Sequence, residues 1–348
     1  MKKYFYEIMT DARHNVLDQA IGFILWLLSL VYAPIVRITR TLYQQHIFSV
    51  YHADKPVISI GNITVGGVGK TPLVICLAHI VKHKGLKPVV LTRGYGSKDG
   101  VNDEVRMFQE ILPDVPVMVG ANRKLSIEKA LKAGPVDMFI ADDAFSYWPL
   151  KRDLDILAID ATNPFGNGHM LPRGILREEI SALKRADFFV LTKTEQVKDT
   201  QELYQKIRQI KPGAVILESQ HVPVNFQNVF TDRSQALYEL RDKRVVVFCA
   251  IGEPLSFERS LKLLGIEVVK CFNFTDHHNY SEQDIKQVTD FAVAQNINIL
   301  MTTHKDAVKI TSSKNLFKEL TVLKLNIDLK ITQGEPELVD RILSLQRS

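Results

Sequence analysis

The chain has 348 residues, of which 46% are hydrophobic and 24% charged, an ordinary composition for a folded protein of two domains or one large domain. The formal net charge of +5 permits acidic substrates or a membrane surface but does not require nucleic acid as a partner. Three distant cysteines, Cys76, Cys249 and Cys271, show neither metal-ligand spacing nor a disulfide framework, which favours a reducing compartment.

An uncharged apolar stretch covers residues 20–36 and is followed by Arg37 and Arg40. Its length is at the short edge of a bilayer span, and apolar side chains occupy all of its helical faces. A cleaved signal peptide does not fit, because the run begins after acidic residues and no small-residue cleavage site follows. A buried core helix and a membrane-surface or shallowly inserted anchor both stay open, and we favour the anchor, with the body of the chain in the cytoplasm.

A phosphate-binding loop is predicted at residues 57–71, VISIGNITVGGVGKT. Residues 57–60 predict a strand and 72–81 a helix, so the glycines lie between strand and helix as such a loop requires. Lys70 is placed to reach the β- and γ-phosphates, and the Thr71 hydroxyl to bind Mg²⁺. The predicted nucleotide-binding residues are Thr64, Gly66, Gly67, Val68, Gly69, Lys70 and Thr71.

Thr64 stands where the strict phosphate-loop pattern has its first glycine, which leaves a glycine-rich turn without a ligand as the alternative. The glycines favour the loop, because they let backbone N–H groups turn toward a phosphate. The helix that follows adds the positive end of its dipole.

Short apolar runs alternate with helical patterns beyond this loop, which predicts a mostly parallel α/β sheet with helices on both faces. The predicted strands are 88–92, 115–119, 136–141, 155–160 and 188–193, and the predicted helices are 102–111, 125–132 and 202–210. The strand 136–141 runs into Asp142 and Asp143, an ending typical of the second metal-holding element of a phosphate-loop protein. Ligands of such sheets bind at the carboxyl ends of the strands, where Arg93 and the loop 166–178 are also expected.

Pro212, Gly213 and Pro223 predict a domain boundary within 211–230. The α/β alternation then resumes, with strands at 244–250, 268–272 and 299–303 and helices at 256–264 and 282–294. We therefore expect an N-terminal membrane-associated helix at 1–45, a phosphate-loop domain at 46–220 and a smaller α/β domain at 221–348. The pair His277-His278 lacks the further ligands that a metal site requires.

The ordered motifs resemble one family, the tetraacyldisaccharide 4'-kinases. They are GNITVGGVGKTP, LTRGYG, ADDAF, FGNGHMLPRGILRE, RADFFVLTK, FTDHHNYS and TTHKDAVK, within about residues 15–310. That family phosphorylates the disaccharide precursor of lipid A at the inner membrane of Gram-negative bacteria, and it also has threonine at the position of Thr64. The resemblance implies a P-loop NTPase-like fold, ATP, Mg²⁺, a glycolipid acceptor and the cytoplasmic face of the membrane. It implies neither nucleic acid nor an obligate protein partner, and it favours a membrane helix at 20–36.

The resemblance also implies roles for individual residues. Asp103 corresponds to the aspartate that takes the proton of the sugar hydroxyl, and His277 to its partner histidine. A positioned carboxylate suits that step, because an unassisted sugar hydroxyl is a poor nucleophile. The implied metal ligands are Thr71, Glu104, Asp142 and Asp143. The candidate substrate contacts are Arg93, Asn122, Arg123 and Arg177.

The chain departs from the family pattern beside these residues. The family commonly has other residues where this chain has Asn102, Val105, Ser146, Tyr147, Arg173, Glu179 and His304, and the position of His304 is commonly proline. The charged side chains that the reaction requires are all present in this chain. The departures therefore leave the reaction in place and the identity of the acceptor open. Another glycolipid acceptor and a catalytically silent relative are therefore alternatives, and retention of Asp103 and His277 argues against the second.

A membrane-associated regulatory NTPase is a further alternative from a different class. The stretch VGGVGKT is similar to the loop of partitioning-type ATPases, which carry an additional lysine where this chain has Val65. A guanine-reading Asn-Lys-x-Asp motif is absent from the sequence, and residues 192–195, TKTE, match it only in part. A kinase is expected to hydrolyse nucleotide slowly without its acceptor, whereas a switch hydrolyses it without any lipid.

Overall fold

The protein is described by a computed structural model that covers residues 2–13, 15–94, 103–252, 254–275 and 278–346, without the side chains of Lys2, Lys3, Asp103 and Glu104. Contacts between residues divide the chain into two compact units. The first unit comprises Met1–Gly100, Ile111–Gln220 and Leu329–Ser348. The second comprises Val101–Glu110 and His221–Asp328.

Helices and strands alternate through most of the described chain. The helices are α1 (Lys2–Met9), α2 (Val16–Gln44), α3 (Lys70–His83), α4 (Asp103–Ile111), α5 (Arg123–Ala133), α6 (Gln201–Ile210), α7 (Pro254–Leu263), α8 (Glu282–Ala294), α9 (His304–Ile310) and α10 (Glu335–Ser344). The strands are β1 (Val57–Gly61), β2 (Pro88–Thr92), β3 (Val117–Val119), β4 (Met138–Asp142), β5 (Leu154–Asp160), β6 (Phe188–Thr192), β7 (Val215–Asn228), β8 (Ser234–Gln235), β9 (Arg244–Cys249), β10 (Glu267–Asn273), β11 (Ile299–Thr303) and β12 (Thr321–Gln333).

The first unit is built on a parallel sheet with the strand order β6-β5-β1-β4-β2-β3. The first residues of β7 pair in parallel with β6. Strands β1, β2, β4 and β6 are buried over their whole length, which accounts for their continuous apolar runs. Because the strands are parallel, the residues that follow β1, β4, β5 and β6 gather at one edge of the sheet.

Helices pack on both faces of this sheet. Phe139 and Ala141 of β4 contact Ile127 and Ala130 of α5 in one buried cluster. The alternate residues of a strand face the other side, where α3 contacts β1, β2 and β4. The predicted class, a mostly parallel α/β sheet covered by helices, is confirmed.

The second unit has its own parallel sheet, in the order β10-β9-β11-β12. The last residues of β7 pair in antiparallel fashion with β8. Buried clusters pack α7 and α8 against these strands, with Phe257 and Leu261 in one cluster and Ile285 and Val288 in the other. This unit therefore has a hydrophobic core of its own.

The grouping by contacts differs from the predicted division in two places. Residues 329–348, which the sequence assigned to the second domain, belong with the first unit, because the chain returns along β12 and ends in α10. Residues 101–110 belong with the second unit, although β2 and β3 on either side belong to the first. Both differences depend on contacts distant in sequence. The limits 1–45, 46–220 and 221–348 stay a prediction.

Candidate active site

The loop between β1 and α3 has the conformation of a phosphate-binding loop. Gly66 has a φ of 117° and Gly69 a φ of 82°, backbone conformations that favour glycine. No atom lies within 4 Å of the position that a Cβ would take at Gly66 or Gly67, so that side of the loop is open. Helix α3 begins at Lys70 and directs its N-terminus at the loop, which favours an anion there.

Lys70 lies in a network of polar side chains at the carboxyl ends of β1 and β4. Its Nζ donates to Asn62 Oδ1 at 2.9 Å and lies 3.5 Å from Asp143 Oδ1. Arg177 donates to both carboxylate oxygens of Asp143, at 2.9 and 2.8 Å, and to the Asn62 carbonyl at 2.8 Å. Two cations therefore converge on one carboxylate directly beside the phosphate loop.

The charge of Asp143 follows from these neighbours. Burial opposes its ionisation, but the hydrogen bonds from Arg177 and the charge of Lys70 outweigh it and hold the pKa of the carboxyl well below its usual range. The residue has a φ of 50°, a left-handed conformation that aspartate tolerates better than most side chains. Asp143 is therefore an anion at neutral pH, in the place where the sequence predicted a metal ligand.

Asp142 is the last residue of β4, and its side chain is buried. Thr92 Oγ1, at the end of β2, lies 3.5 Å from Asp142 Oδ2. The Asp142 carbonyl accepts a hydrogen bond from Arg123 Nη2 at 2.9 Å. The acidic strand end that the sequence singled out thus lies in the same parallel array as the phosphate loop, and Asp143 is the residue of this pair that approaches Lys70.

Asn122 and Arg123 hold the start of α5 in this structure. Asn122 Oδ1 accepts from Leu125 N at 3.3 Å as the helix cap, and Arg123 Nη1 donates to the Gly120 carbonyl at 2.8 Å. Arg123 is only 2% exposed, and its burial lowers the pKa of the guanidinium against the attraction of Asp142. These contacts give both residues a structural role, and their role in substrate binding stays a prediction. Arg93 lies exposed just after β2.

A buried ion pair that the site prediction missed lies at the ends of β5 and β6. Lys193 Nζ donates to Asp160 Oδ2, and Asp160 Oδ1 accepts from the Thr162 amide and hydroxyl at 2.9 and 2.6 Å. The neighbouring Thr192 Oγ1 donates to the Val68 carbonyl at 2.9 Å, which ties β6 to the phosphate loop. The available signal was a charged residue at the end of each of two buried strands.

A second residue that the prediction missed is Glu178, which is buried and holds the loop that carries Arg177. Its carboxylate accepts from Arg185 at 2.8 and 3.1 Å and from the Ser146 hydroxyl. The guanidinium of Arg185 also stacks 4.3 Å from the ring centre of Phe145. Ser146, one of the departures from the family pattern, is therefore part of the support of Arg177.

Three predicted residues cannot be placed in this site. His277 lies outside the described residues, and the side chains of Asp103 and Glu104 lie outside them as well. The backbone of Asp103 and Glu104 forms the first two positions of α4, which belongs to the second unit, whereas Lys70 belongs to the first. Their catalytic and metal-binding roles stay predictions.

Helix α2 exposes an apolar surface along most of its length. It is 29 residues long, and its most apolar window has a mean hydropathy of 2.0 and is 11% buried, which does not fit a buried core helix. Its length and composition are sufficient for it to cross a membrane. Its opposite face meets the first unit, where Tyr32 Oη donates to the Arg177 carbonyl at 3.1 Å and Arg37 pairs with Glu179.

A glycine-rich loop between a buried strand and a helix, with a lysine and carboxylates at adjacent strand ends, defines a phosphate-loop nucleotide-binding protein. The sequence model of one family, the tetraacyldisaccharide-1-P 4'-kinases (LpxK), matches residues 21–347. The chain belongs to this family.

Individual relatives agree with that assignment over nearly the whole chain. The tetraacyldisaccharide 4'-kinase of Halothermothrix orenii is 33% identical over 98% of both chains, and that of Elusimicrobium minutum is 34% identical over 94% of this chain and 93% of its own. A crystal structure described as the "apo" form of LpxK from Aquifex aeolicus in complex with ATP superimposes with a TM-score of 0.73, at 27% identity, and covers 93% of this chain and 99% of that one.

Proposed function

We propose that this chain transfers the γ-phosphoryl group of ATP to the 4'-hydroxyl of a tetraacyldisaccharide 1-phosphate, a precursor of lipid A. The observation that carries this proposal is the near-complete relationship to named tetraacyldisaccharide 4'-kinases, 33% identical over 98% of both chains. The Aquifex relative, whose structure is described as a complex with ATP, supports the choice of phosphoryl donor.

The phosphate loop positions ATP. Backbone N–H groups between Thr64 and Gly69 surround its phosphates, and Lys70 neutralises charge that moves between the β- and γ-phosphates as the bond breaks. Arg177 donates two hydrogen bonds to Asp143, the carboxylate that Lys70 also approaches, so it adds positive charge at the same place. Phosphoryl transfer needs positioning and charge neutralisation above all, and these residues supply both.

Mg²⁺ fits the donors at this edge of the sheet. Thr71, Asp142 and Asp143 offer hydroxyl and carboxylate oxygens, which Mg²⁺ prefers. Among the residues that the structure describes, no group of three histidine, cysteine or acidic side chains is arranged to hold a metal by itself. The donors Asp142 and Asp143 suit an ion held by one or two carboxylates together with nucleotide phosphates and water, where it would neutralise phosphate charge. Glu104 is a further proposed ligand.

Asp103 takes the proton of the attacking 4'-hydroxyl. His277 orients the Asp103 carboxylate or changes its electrostatic environment. A carboxylate in this role makes the hydroxyl oxygen a better nucleophile as it attacks the γ-phosphorus. Arg93, Asn122, Arg123 and Arg177 are the proposed acceptor contacts. Of these, Arg93 suits an anionic glycolipid best, because it lies exposed just after β2. The guanidinium of Arg123 already serves two backbone carbonyls, and that of Arg177 already serves Asp143 and the Asn62 carbonyl.

The acceptor is a lipid, so the enzyme works at a membrane surface, which we propose is the cytoplasmic face of the bacterial inner membrane. Helix α2 supports this proposal because its apolar residues Phe23, Ile24, Leu28, Val31 and Ile35 are 52–62% exposed. Burial of such a face in the interface of a bilayer lowers the free energy, which favours binding to the membrane. No obligate protein partner is proposed.

The double variant Leu28→Glu, Val31→Glu is expected to bind anionic phospholipid vesicles at least about tenfold more weakly, because it places charge in the apolar face. Affinity for ATP is expected to stay unchanged, since the phosphate loop makes no use of these side chains. Co-sedimentation with vesicles measures the first quantity and equilibrium binding of a fluorescent ATP analogue the second. The matched control is Val293→Glu, an exposed apolar position on α8 of the second unit. Equal vesicle binding by wild type and double variant would remove α2 from membrane attachment.

Transfer of labelled phosphate tests the proposed reaction. Purified protein in detergent is incubated with γ-labelled ATP, with and without the monophosphorylated tetraacyl disaccharide. A labelled lipid that requires the disaccharide supports the kinase. Release of phosphate at the same rate without any lipid indicates a regulatory NTPase instead, and bound nucleotide without turnover indicates another acceptor or a silent relative.

A further inference from the structure

Helix α4 is held by the second unit. Val105 and Phe108 on this helix are fully buried, and residues 101–110 group with 221–328 by contact. Arg106 Nη1 reaches the Val308 carbonyl of α9 at 3.4 Å. The placement of α4, which begins at Asp103, is therefore decided by elements of the second unit and not by the strands beside it in sequence.

The last turn of α4 carries the carboxylate of Glu110, which lies between the side chains of His304 and Lys324. These three residues are here called the Glu110 cluster. Glu110 Oε2 lies 3.1 Å from His304 Nε2, and Oε1 accepts from Lys324 Nζ. The Lys324 side chain is 5% exposed, and a buried ammonium requires a counter-charge. Within the described chain Glu110 supplies that charge to Lys324.

Glu110 is ionised at neutral pH. The close approach of His304 lowers the pKa of the carboxyl to about 2, with burial opposing the shift and the Lys324 ammonium adding to it. The Glu110 carboxylate therefore joins α4 to β12 by a charge-assisted hydrogen bond from Lys324, and it lies against His304 of α9. Charge-assisted hydrogen bonds are stronger and more directional than neutral ones.

His304 belongs to a helix that is firmly attached. Thr303 caps α9, and Asp306 of the same helix accepts from Thr303 Oγ1 at 2.7 Å, from Ala250 N at 3.0 Å and from Lys309 Nζ at 3.0 Å. His304 is the first residue of α9, so the contact with Glu110 is made by the anchored start of that helix.

We propose that Glu110 is a positioning residue for the phosphoryl transfer, because the Glu110 cluster fixes helix α4 and with it the place of Asp103 in the second unit. The proposal rests on the function proposed above, in which Asp103 is the base. Positions 103, 106 and 110 are spaced by three and four residues and therefore share one face of α4. A displacement of about 1 Å at a reacting group can cost about 100-fold in rate, so a small shift of this helix is sufficient.

Glu110→Asp is the principal test, because it keeps the charge for Lys324 but shortens the side chain by one methylene. We expect kcat for lipid phosphorylation to fall about tenfold, while KM for ATP stays unchanged because Lys70 and its loop belong to the first unit. Glu110→Gln is expected to lower kcat further, and thermal unfolding is measured for each variant. A lower melting temperature with wild-type kcat per folded molecule would assign Glu110 to stability alone and overturn the proposal.

His304→Pro is the second test and is expected to fold, since proline is well tolerated at the first position of a helix. It should lower kcat about threefold to tenfold, because Lys324 still holds Glu110. When it is combined with Glu110→Gln, the double variant should be no slower than Glu110→Gln alone, which shows that both act through one contact. The matched control is Asp290→Asn, which breaks the exposed ion pair with Lys318 in the same unit and should leave kcat unchanged.

The assays separate this proposal from the proposed function. If wild type gives no labelled lipid, the kinase assignment fails. If Asp103→Ala keeps full activity, the base assignment fails and the positioning role fails with it. If Asp103→Ala is inactive but Glu110→Asp and His304→Pro match wild type, the positioning role alone is overturned.

Discussion

Lys70→Ala is expected to lower the rate of phosphoryl transfer to the glycolipid by on the order of 1000-fold, because it removes the ammonium that neutralises phosphate charge as the bond breaks. The loop around it is expected to keep its conformation. Arg177 still donates to Asp143 at 2.9 and 2.8 Å and to the Asn62 carbonyl at 2.8 Å when Lys70 is absent. The loss should therefore appear as a chemical defect in a folded protein, measured with labelled ATP and the lipid acceptor.

Lys82→Ala is the matched control for that experiment. Lys82 lies on the same helix, in its last turn, and pairs with Asp114 at 2.6 Å on the surface. Exposed pairs of this type contribute little to stability, so this variant should transfer phosphate at the wild-type rate. Comparable activity of Lys70→Ala and Lys82→Ala would contradict the assignment of residues 64–71 as the nucleotide site.

Asp103→Ala is expected to lower turnover by about 100- to 10,000-fold, the usual contribution of a positioned general base. ATP affinity should be retained, because the phosphate loop belongs to the first unit and α4 to the second. Helix α4 should also stay in place, since the contacts of Arg106 and Glu110 do not involve position 103. The measurements are kcat with saturating acceptor and equilibrium binding of ATP.

Gln109→Ala serves as the control for Asp103, because Gln109 is exposed on the same helix. Asp103→Asn separates charge from size, and we expect it to be as slow as Asp103→Ala, since an amide cannot take the proton. Intact turnover in Asp103→Ala would contradict the base assignment. Loss of ATP binding together with turnover would indicate instead that the substitution disturbs the fold.

The residues that depart from the family pattern make specific contacts in this structure. The Ser146 hydroxyl donates to Glu178, and the Tyr147 hydroxyl accepts from Arg123 N at 3.3 Å. Arg173 donates to the Ile8 carbonyl at 3.2 Å and to Asp11 at 2.6 Å, and His304 contacts Glu110. Replacements that find partners in this way argue for an adapted enzyme and against a decayed site, in agreement with the proposed kinase activity.

Residues close together in sequence made the phosphate loop and the acidic strand end predictable. Strand, glycines, Lys70 and helix lie within one short segment, so local backbone preferences and apolar periodicity are sufficient to identify them. Asp142 and Asp143 were predictable in the same way, because they end a continuous apolar run. The alternation of strands and helices then led to the parallel sheet, and that prediction is confirmed. The single apolar stretch at 20–36 was also evident, although α2 extends from Val16 to Gln44.

Tertiary structure decided which of these residues meet. The sequence placed the loop 166–178 and the acidic strand end at one edge of the sheet, but it did not pair Arg177 with Asp143 or Lys193 with Asp160. Such pairs depend on which strands are neighbours and on the path of a loop. The same holds for α4, whose neighbours in sequence lie in one unit while its contacts lie in the other. Local preferences determine elements, whereas buried charges are paired by contacts between residues distant in sequence, which no local pattern encodes.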